Sequence, residues 1–499
     1  MKSLSTVARG AGFVFFGMAA SKLLSYAYRV IVARIGPAEY GLLSIALAVF
    51  GIFSVFAVLG LDIGVVRYVA EYKSQGDYGR VKGAITGSLK ITAIVSLLLG
   101  VLFFVIARPL ATLVYHVEEL TPLFQLLALM IPLYTSRDII MGAIRAWTQE
   151  SYFDVFSRNI GENVIKLAAT FLLVAIGFKA LGAIYATCLG IIITFGVSIY
   201  LYNKYIPWHV APPESKMVLL RYSTPLLFST LLTQVLVWSA ILVLGHYRSS
   251  AEVGIYNAAL PTATLLSIIP GGINSLLLPV MTELYTLKKL DEFRITYLSA
   301  SKWIFFLNLP IFVAMVLFAE PLLSIIFGQE YGQGAIALVL VACSHLVLQT
   351  AVPAVETLKA IKRPKLLLLY TAISAVVNLS LNMLLIPTYG MMGGAIATAI
   401  SFALYGMLAI THVYYLLGIM SIQVQFLKGI IAALVASSIG YLLLPKIVNT
   451  LTLFAGAVIV SVVYALVALA LKSLEQKDKE ILRKLLSKVQ AIFQDNNLG

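Results

Sequence analysis

Long apolar runs recur along the whole chain, and each is bounded by charged residues, glycine or proline. Runs such as 91–106 and 453–471 are continuous, whereas transmembrane β-strands alternate apolar and polar residues over about ten positions. A membrane-spanning helix needs about 20 mostly apolar residues. The pattern therefore predicts fourteen spanning helices, at about residues 11–33, 42–64, 84–106, 121–143, 158–177, 180–202, 223–245, 254–282, 299–319, 335–357, 366–387, 391–417, 427–445 and 451–471.

The composition agrees with this pattern. Of the 499 residues, 60% are apolar and 12% are charged, against about 45–50% and about 25% in a soluble domain. The predicted fold class is therefore an all-α polytopic membrane protein. The connections between spans are too short to hold a catalytic domain, and the sequence contains no G-x-x-x-x-G-K-[ST] loop for nucleotide phosphates. We expect a protein that is not an enzyme and that has no organic cofactor and no metal site.

The excess of basic residues is explained by membrane topology. The chain has 36 Lys and Arg against 22 Asp and Glu, a net charge of +14. If the N-terminus is cytoplasmic, most of these cations fall in cytoplasmic connections and tails, as the positive-inside rule requires. We therefore expect a multi-pass protein of the plasma membrane with both termini in the cytoplasm. The charge then gives no reason to expect nucleic acid as a partner.

An internal repeat divides the chain into two halves. The motif Arg34–Gly41 after the first span is echoed by Ala251–Gly254 after the seventh, and other short motifs recur at nearly the same shift. Six spans per repeat give both halves the same orientation, and two such bundles around a cavity form a transporter architecture. The predicted units are an N-terminal lobe at 1–210, a C-terminal lobe at 211–420, two added spans at 421–472 and an amphipathic cytoplasmic tail at 473–499.

Ionisable residues inside the first span are candidates for substrate binding. Lys22 lies at the centre of this span, and Arg29 follows seven residues later on nearly the same face, with Tyr26 between them. A charged group inside a span costs about 2.5–3.5 kcal/mol on insertion scales, so it usually faces a cavity or a partner. We expect a site for phosphate or pyrophosphate. The alternative is that Arg29 reaches the outer surface while Lys22 pairs with an acid such as Asp62.

Other charged residues have more than one interpretation. Lys90 in the third span is a third candidate cation for the anion site, although it could also extend to the cytoplasmic surface. Asp62 and Glu356 are candidates for coupling transport to a proton or a sodium ion. Glu162 and Lys166 have the i,i+4 spacing of an intrahelical ion pair, and we expect them to be structural.

Polar residues in later spans are candidates to line the cavity, although polar contacts between packed helices are an equal alternative. These residues are Gln234, Trp238, Asn257, Asn274, His345, Gln349, Asn378 and Asn382. The eighth span also contains Pro270, Gly271 and Gly272 near its middle. Because proline and glycine interrupt helices, we expect a hinge for alternating access at this point.

The segments Arg34–Leu43, Leu59–Asp62 and Gly64–Tyr68 resemble the start of the polysaccharide flippases of the MOP transporter superfamily. The fourteen-span layout extends this resemblance over nearly the whole chain. It implies a MATE-like fold and the flipping of lipid-linked oligosaccharide, carried on polyprenyl pyrophosphate, for cell-surface polysaccharide synthesis.

The resemblance also implies a cationic central cavity for the pyrophosphate, which falls here on Lys22 and Arg29, with Lys90 as a further candidate. Membrane lipids, the lipid-linked glycan and glycan-assembly enzymes are the expected partners. The alternative is a MATE-type multidrug antiporter coupled to cations. Such a protein shares the fold but prefers acidic groups in its cavity.

Overall fold

The computed structural model describes residues 2–148, 160–206, 216–421, 423–471 and Ser473. Within these residues the regular structure is helical. The helices of the N-terminal half are α1 (Lys2–Ala33), α2 (Pro37–Val58), α3 (Leu61–Ser74), α4 (Tyr78–Pro109), α5 (Leu120–Thr148), α6 (Glu162–Ala175) and α7 (Lys179–Tyr205). Those of the C-terminal half are α8 (Lys216–Tyr247), α9 (Ser250–Thr264), α10 (Ile268–Thr286), α11 (Leu290–Leu317), α12 (Ala319–Ile326), α13 (Ala335–Thr350), α14 (Val352–Ala360), α15 (Pro364–Tyr389) and α16 (Met391–Leu417). They are followed by α17 (Val424–Leu443) and α18 (Thr450–Ala470).

The helices are long and apolar enough to cross a membrane. Twelve helical stretches meet both conditions among the described residues, and α1 and α6 occupy the positions predicted for the first and fifth spans. Large apolar side chains on the outer faces, such as Leu98 and Val105 of α4, are more than 60% exposed. Exposed apolar faces of this kind are stable only against lipid, so the chain is a multi-pass membrane protein.

Several predicted spans are interrupted, and in the eighth the break lies one turn before the predicted hinge residues. The second span breaks between α2 and α3, where Leu59 and Gly60 are both left-handed. The eighth span breaks at a 3-10 turn over Leu265–Ser267. Pro270 lies three residues later in the first turn of α10 and is followed by Gly271 and Gly272. Because Pro270 has no N–H group for the carbonyl four residues earlier, that of Leu266 inside the 3-10 turn, the break lies one turn before the proline. A hinge role for this region stays a prediction.

The internal repeat is visible in the contact between the two halves. Helix α2 crosses α9 at Gly41 and Gly254, which are related by the repeat shift of 213 residues. A Cβ atom added to either glycine would lie 3.1 Å from the backbone nitrogen of the other. One turn further on, Asn257 Nδ2 donates to Ser44 Oγ at 2.6 Å, and these residues are related by the same shift. The two bundles therefore face each other in a parallel pseudo-twofold arrangement.

Helices α17 and α18 lie outside this repeat and pack against α11. Phe426 of α17 stacks on Phe305 of α11 with ring centroids 4.4 Å apart. The predicted amphipathic tail, apart from Ser473, lies outside the described residues.

Candidate functional site

Three adjoining cavities lie between the two bundles. Their volumes are about 620, 200 and 110 Å³, and Arg29 and Trp238 line all three. The largest cavity is bounded by α1, α2, α3, α5, α6 and α8, and the second by α1, α8 and α9. The predicted cavity residues that line at least one of them are Lys22, Tyr26, Arg29, Asp62, Gln234, Trp238 and Asn257.

The two cations of α1 have hydroxyl groups as partners. Lys22 Nζ donates to Ser267 Oγ in the opposite bundle, and Arg29 Nη1 donates to Tyr40 Oη at 3.5 Å. Neither cation forms an ion pair within the described part of the chain. The ion pair between Lys22 and Asp62, which the sequence left open as an alternative, is therefore absent. Asp62 instead lines the largest cavity.

A proline in α9 helps to fix the Tyr40 side chain beside Arg29. Pro261 in α9 has no N–H group, so the carbonyl of Asn257 four residues earlier loses its usual helical donor. Tyr40 Oη of the opposite bundle donates to this carbonyl at 3.0 Å. The same Tyr40 hydroxyl accepts from Arg29. Proline thus frees a carbonyl that connects α9 to α2 and to the cation on α1.

A paired network of four charged residues, Arg137, Asp138, Glu162 and Lys166, forms part of the wall of the largest cavity. Arg137 Nη1 donates to Glu162 Oε2 at 2.5 Å, and Lys166 Nζ lies 2.5 Å from Glu162 Oε1. The Arg137 side chain is 2% exposed and stacks over the ring of Tyr134 at 4.6 Å. Each cation of this network therefore has a carboxylate partner.

The sequence analysis missed Arg137, although the signal was present. This arginine lies within an apolar run of α5, and the insertion cost that singled out Lys22 applies equally to it. The predicted ion pair between Glu162 and Lys166 is present. Its position in the cavity wall did not follow from the i,i+4 spacing, because spacing within one helix does not say which other helices surround it.

Other predicted site residues lie outside these three cavities. Asn378 and Asn382 of α15 form a buried hydrogen-bonded group with Ser239 of α8. His345 is buried on α13, where its Nδ1 lies 3.0 Å from the carbonyl oxygen of Val341. Their polar groups serve contacts between or within packed helices, which was the alternative interpretation.

The remaining predicted residues also lie apart from the cavities. Lys90 is exposed on α4. Asn274 lies on α10, and Gln349 is buried on α13. Glu356 pairs with Lys359 at 2.6 Å on α14. None of the four lines the three cavities.

A family model described as "Polysaccharide biosynthesis protein" matches residues 7–285, which is more than half of the chain. The chain belongs to this family. A second model, described as MatE, matches residues 225–384. This polysaccharide biosynthesis protein thus belongs to the MOP superfamily that the resemblance of its first spans implied.

Relatives of this family member include named glycan transporters. The probable low-salt glycan biosynthesis flippase Agl15 of Haloferax volcanii is 24% identical over 84% of this chain and 82% of its own length. The succinoglycan biosynthesis transport protein ExoT of Rhizobium meliloti is 24% identical over 97% and 96% of the two chains.

Two solved structures share the fold. The inward closed conformation of the lipid II flippase MurJ has a TM-score of 0.75 at 15% identity and covers 91% of this chain and 98% of its own. An inward-facing MATE multidrug resistance transporter has a TM-score of 0.67 at 18% identity, over 80% and 94% of the two chains. At these identities the likeness establishes the MATE-like fold.

Proposed function

We propose that this protein is a flippase that moves polyprenyl-pyrophosphate-linked oligosaccharide across the plasma membrane for the synthesis of cell-surface polysaccharide. Membership of the polysaccharide biosynthesis protein family and the relatives named as glycan flippases or transporters support this function. In this proposal both termini are cytoplasmic, and the glycan-assembly enzymes that make and consume the substrate are its partners.

The observation that carries the proposal is the pair of cations on α1. Lys22 and Arg29 border the interlobe cavities with neutral hydroxyl partners, so their charge is available to an anion. A pyrophosphate fits them because the guanidinium offers two parallel donors and the ammonium a mobile point charge. Tyr26, whose hydroxyl lies 3.0 Å from Thr262 Oγ1, borders the same cavity.

The glycan would occupy the largest cavity while the polyprenyl chain remains in lipid. The wall of this cavity offers the Trp238 indole for stacking on a sugar ring and Gln234 for hydrogen bonds. In the proposed topology, α2 and α9 begin on the outer side, so their crossing at Gly41 and Gly254 closes the outer path. Rocking of the two bundles would then open the outside and release the substrate there.

In this proposal, flipping is driven by the membrane potential or by coupling to an ion. The membrane potential contributes about 2.3 kcal/mol per charge per 100 mV for each charge that crosses it. If a proton or a sodium ion is coupled to transport, Asp62 is better placed than Glu356, because Asp62 lines the largest cavity while Glu356 is held by Lys359.

The test is flipping of a fluorescent polyprenyl-pyrophosphate oligosaccharide in proteoliposomes. Lys22→Gln and Arg29→Gln should each slow flipping by about 10- to 100-fold, the loss expected for one charge-assisted contact. Lys365→Gln, which removes an exposed cation at the start of α15, is the matched control and should leave the rate unchanged. Lys90→Gln tests whether the third predicted cation takes part.

The outcomes separate the candidate functions. Wild-type protein that leaves this lipid in place but exchanges protons for organic cations would be a MATE-type antiporter, and the flippase proposal would be wrong. Flipping that survives both α1 substitutions would keep the flippase and remove the anion site from α1.

A further inference from the structure

The cavity charges fall into two sets with different partners. Lys22 and Arg29 donate to hydroxyl groups and lie where we propose the pyrophosphate to bind. Arg137 and Lys166, in the wall of the largest cavity, are both bound by one carboxylate, that of Glu162. Arg29 lines all three cavities and is assigned to the pyrophosphate, whereas the other two cations in the wall of the largest cavity are charge-compensated.

Glu162 connects both cations with separate oxygens. Its Oε2 accepts from Arg137 Nη1 and its Oε1 pairs with Lys166 Nζ, each at 2.5 Å. Asp138 Oδ1 accepts from two further nitrogens of Arg137, at 3.2 and 3.0 Å. Carboxylates thus accept from all three guanidinium nitrogens of Arg137, and a sugar carboxylate would have to displace Glu162 or Asp138.

The surrounding helices hold this arrangement in place. Arg137 Nη1 also donates to Thr194 Oγ1 of α7 at 3.2 Å. A Cβ atom at Gly190 of α7 would lie 3.3 Å from the Cγ atoms of Glu162 and Lys166, so the glycine makes room for both side chains. Because α5, α6 and α7 all contribute, Glu162 cannot leave its cations without breaking several contacts.

We infer that Glu162 is a specificity-determining residue that restricts the transported oligosaccharide to uncharged sugars in the portion that occupies the largest cavity. The inference rests on the proposed function, since it places the glycan in that cavity. With Arg29 occupied by the pyrophosphate, an acidic sugar there meets the neutralised cations Arg137 and Lys166 and faces the carboxylates that neutralise them. A neutral sugar donates its hydroxyl groups to those same carboxylate oxygens and stacks on Trp238, so it displaces nothing.

The experiment compares two fluorescent polyprenyl-pyrophosphate oligosaccharides of equal length that differ at one sugar, a hexose in one and the corresponding uronic acid in the other. Wild-type protein in proteoliposomes should flip the hexose substrate at least about tenfold faster. Glu162→Gln should remove most of this preference, because Lys166 then loses its carboxylate partner Glu162 while Arg137 keeps only Asp138, which leaves one net positive charge for the sugar carboxylate. The charge-balanced Glu162→Gln/Lys166→Gln variant should retain it.

Glu252→Gln is the matched control, because it makes the same substitution at a hydrogen-bonded glutamate outside the three cavities. It should keep the wild-type ratio. If Glu162→Gln does not fold, Asp138→Asn removes the other carboxylate from Arg137 and should shift the ratio in the same direction. A folded variant of either kind with an unchanged ratio would overturn the assignment.

Flipping by the wild-type protein distinguishes failure of the specificity inference from failure of the flippase proposal. Equal flipping of both substrates would make the specificity inference wrong and leave the flippase proposal intact. Flipping of neither would make the flippase proposal wrong, and the inference would fall with it.

Discussion

The two lobes have the same fold but carry different side chains at equivalent positions. At a shift of 212 residues, one less than that of Gly41 and Gly254, ionisable or aromatic residues of the N-terminal lobe correspond to neutral ones of the C-terminal lobe. The pairs are Lys22 with Gln234, Tyr26 with Trp238, Asp62 with Asn274, Arg137 with Gln349, Glu162 with Ser374 and Lys166 with Asn378. In five of the six pairs, a charge in the first lobe is replaced by an amide or a hydroxyl in the second.

This difference separates what the fold needs from what the function needs. In the C-terminal lobe Asn378 accepts from Ser239 at 2.5 Å, which joins α15 to α8 without any charge. The second lobe therefore shows that these helices can pack with neutral residues. Since each charge inside a span costs about 2.5–3.5 kcal/mol, we expect the charges of the first lobe to serve the cavity rather than helix packing alone.

The largest expected effect follows from Arg137 and its neutral counterpart. Arg137→Met removes one member of a buried ion pair and leaves Glu162 with Lys166 alone, which should lower the free energy of unfolding by about 3–5 kcal/mol. Gln349→Met, the equivalent change in the other lobe, should cost less than about 1.5 kcal/mol because no charge is left without its partner. Denaturant unfolding in detergent measures both. Equal losses would contradict the distinction between the lobes.

A smaller and symmetric effect is expected where the lobes cross. An alanine methyl at Gly41 would overlap the carbonyl oxygen of Ser250, and one at Gly254 would overlap that of Pro37. Gly41→Ala and Gly254→Ala should each destabilise the protein by about 1–3 kcal/mol and slow flipping, since both force α2 and α9 apart.

Gly196→Ala in α7 is the control for this pair, because no atom lies within 4 Å of the added Cβ. It should leave flipping unchanged and raise the free energy of unfolding by up to about 1 kcal/mol, because alanine is the better helix former. A large loss from only one of the two interface glycines would show that the crossing is less symmetric than the repeat indicates.

The sequence was sufficient to predict the spans and the repeat because both depend on local hydrophobicity and on short motifs. The same reasoning predicted Lys22 and Arg29 as neighbours along one helix face, and both border the cavities. The amides of α15 were harder to assign, since Asn378 has the same polarity whether it faces a cavity or Ser239 of another helix.

The break in the eighth span lies one turn before the predicted hinge residues. Pro270 removes the helical donor for the carbonyl of Leu266, and the 3-10 turn Leu265–Ser267 contains this residue. Pro261 lies inside α9, and the carbonyl it frees is used by Tyr40 of the other lobe. Only tertiary contacts distinguish the two prolines.

The smallest expected effect concerns charges that the repeat keeps in both lobes. Glu39 accepts from Ala180 N of α7 at 3.1 Å, and Glu252, at a shift of 213, accepts from Met391 N of α16 at 2.6 Å. Each carboxylate binds a helix N-terminus, where Lys179 and its counterpart Gly390 both adopt positive φ.

Because this contact stabilises a helix terminus in each lobe, Glu39→Gln and Glu252→Gln should each lower the free energy of unfolding by about 0.3–1 kcal/mol. Neither should change flipping or its dependence on the charge of the sugar. The comparison predicts that charges repeated in both lobes serve the fold, while charges confined to one lobe serve transport. Glu39 and Glu252 are the most sensitive test of this rule. A flipping defect in either variant at unchanged stability would contradict that rule.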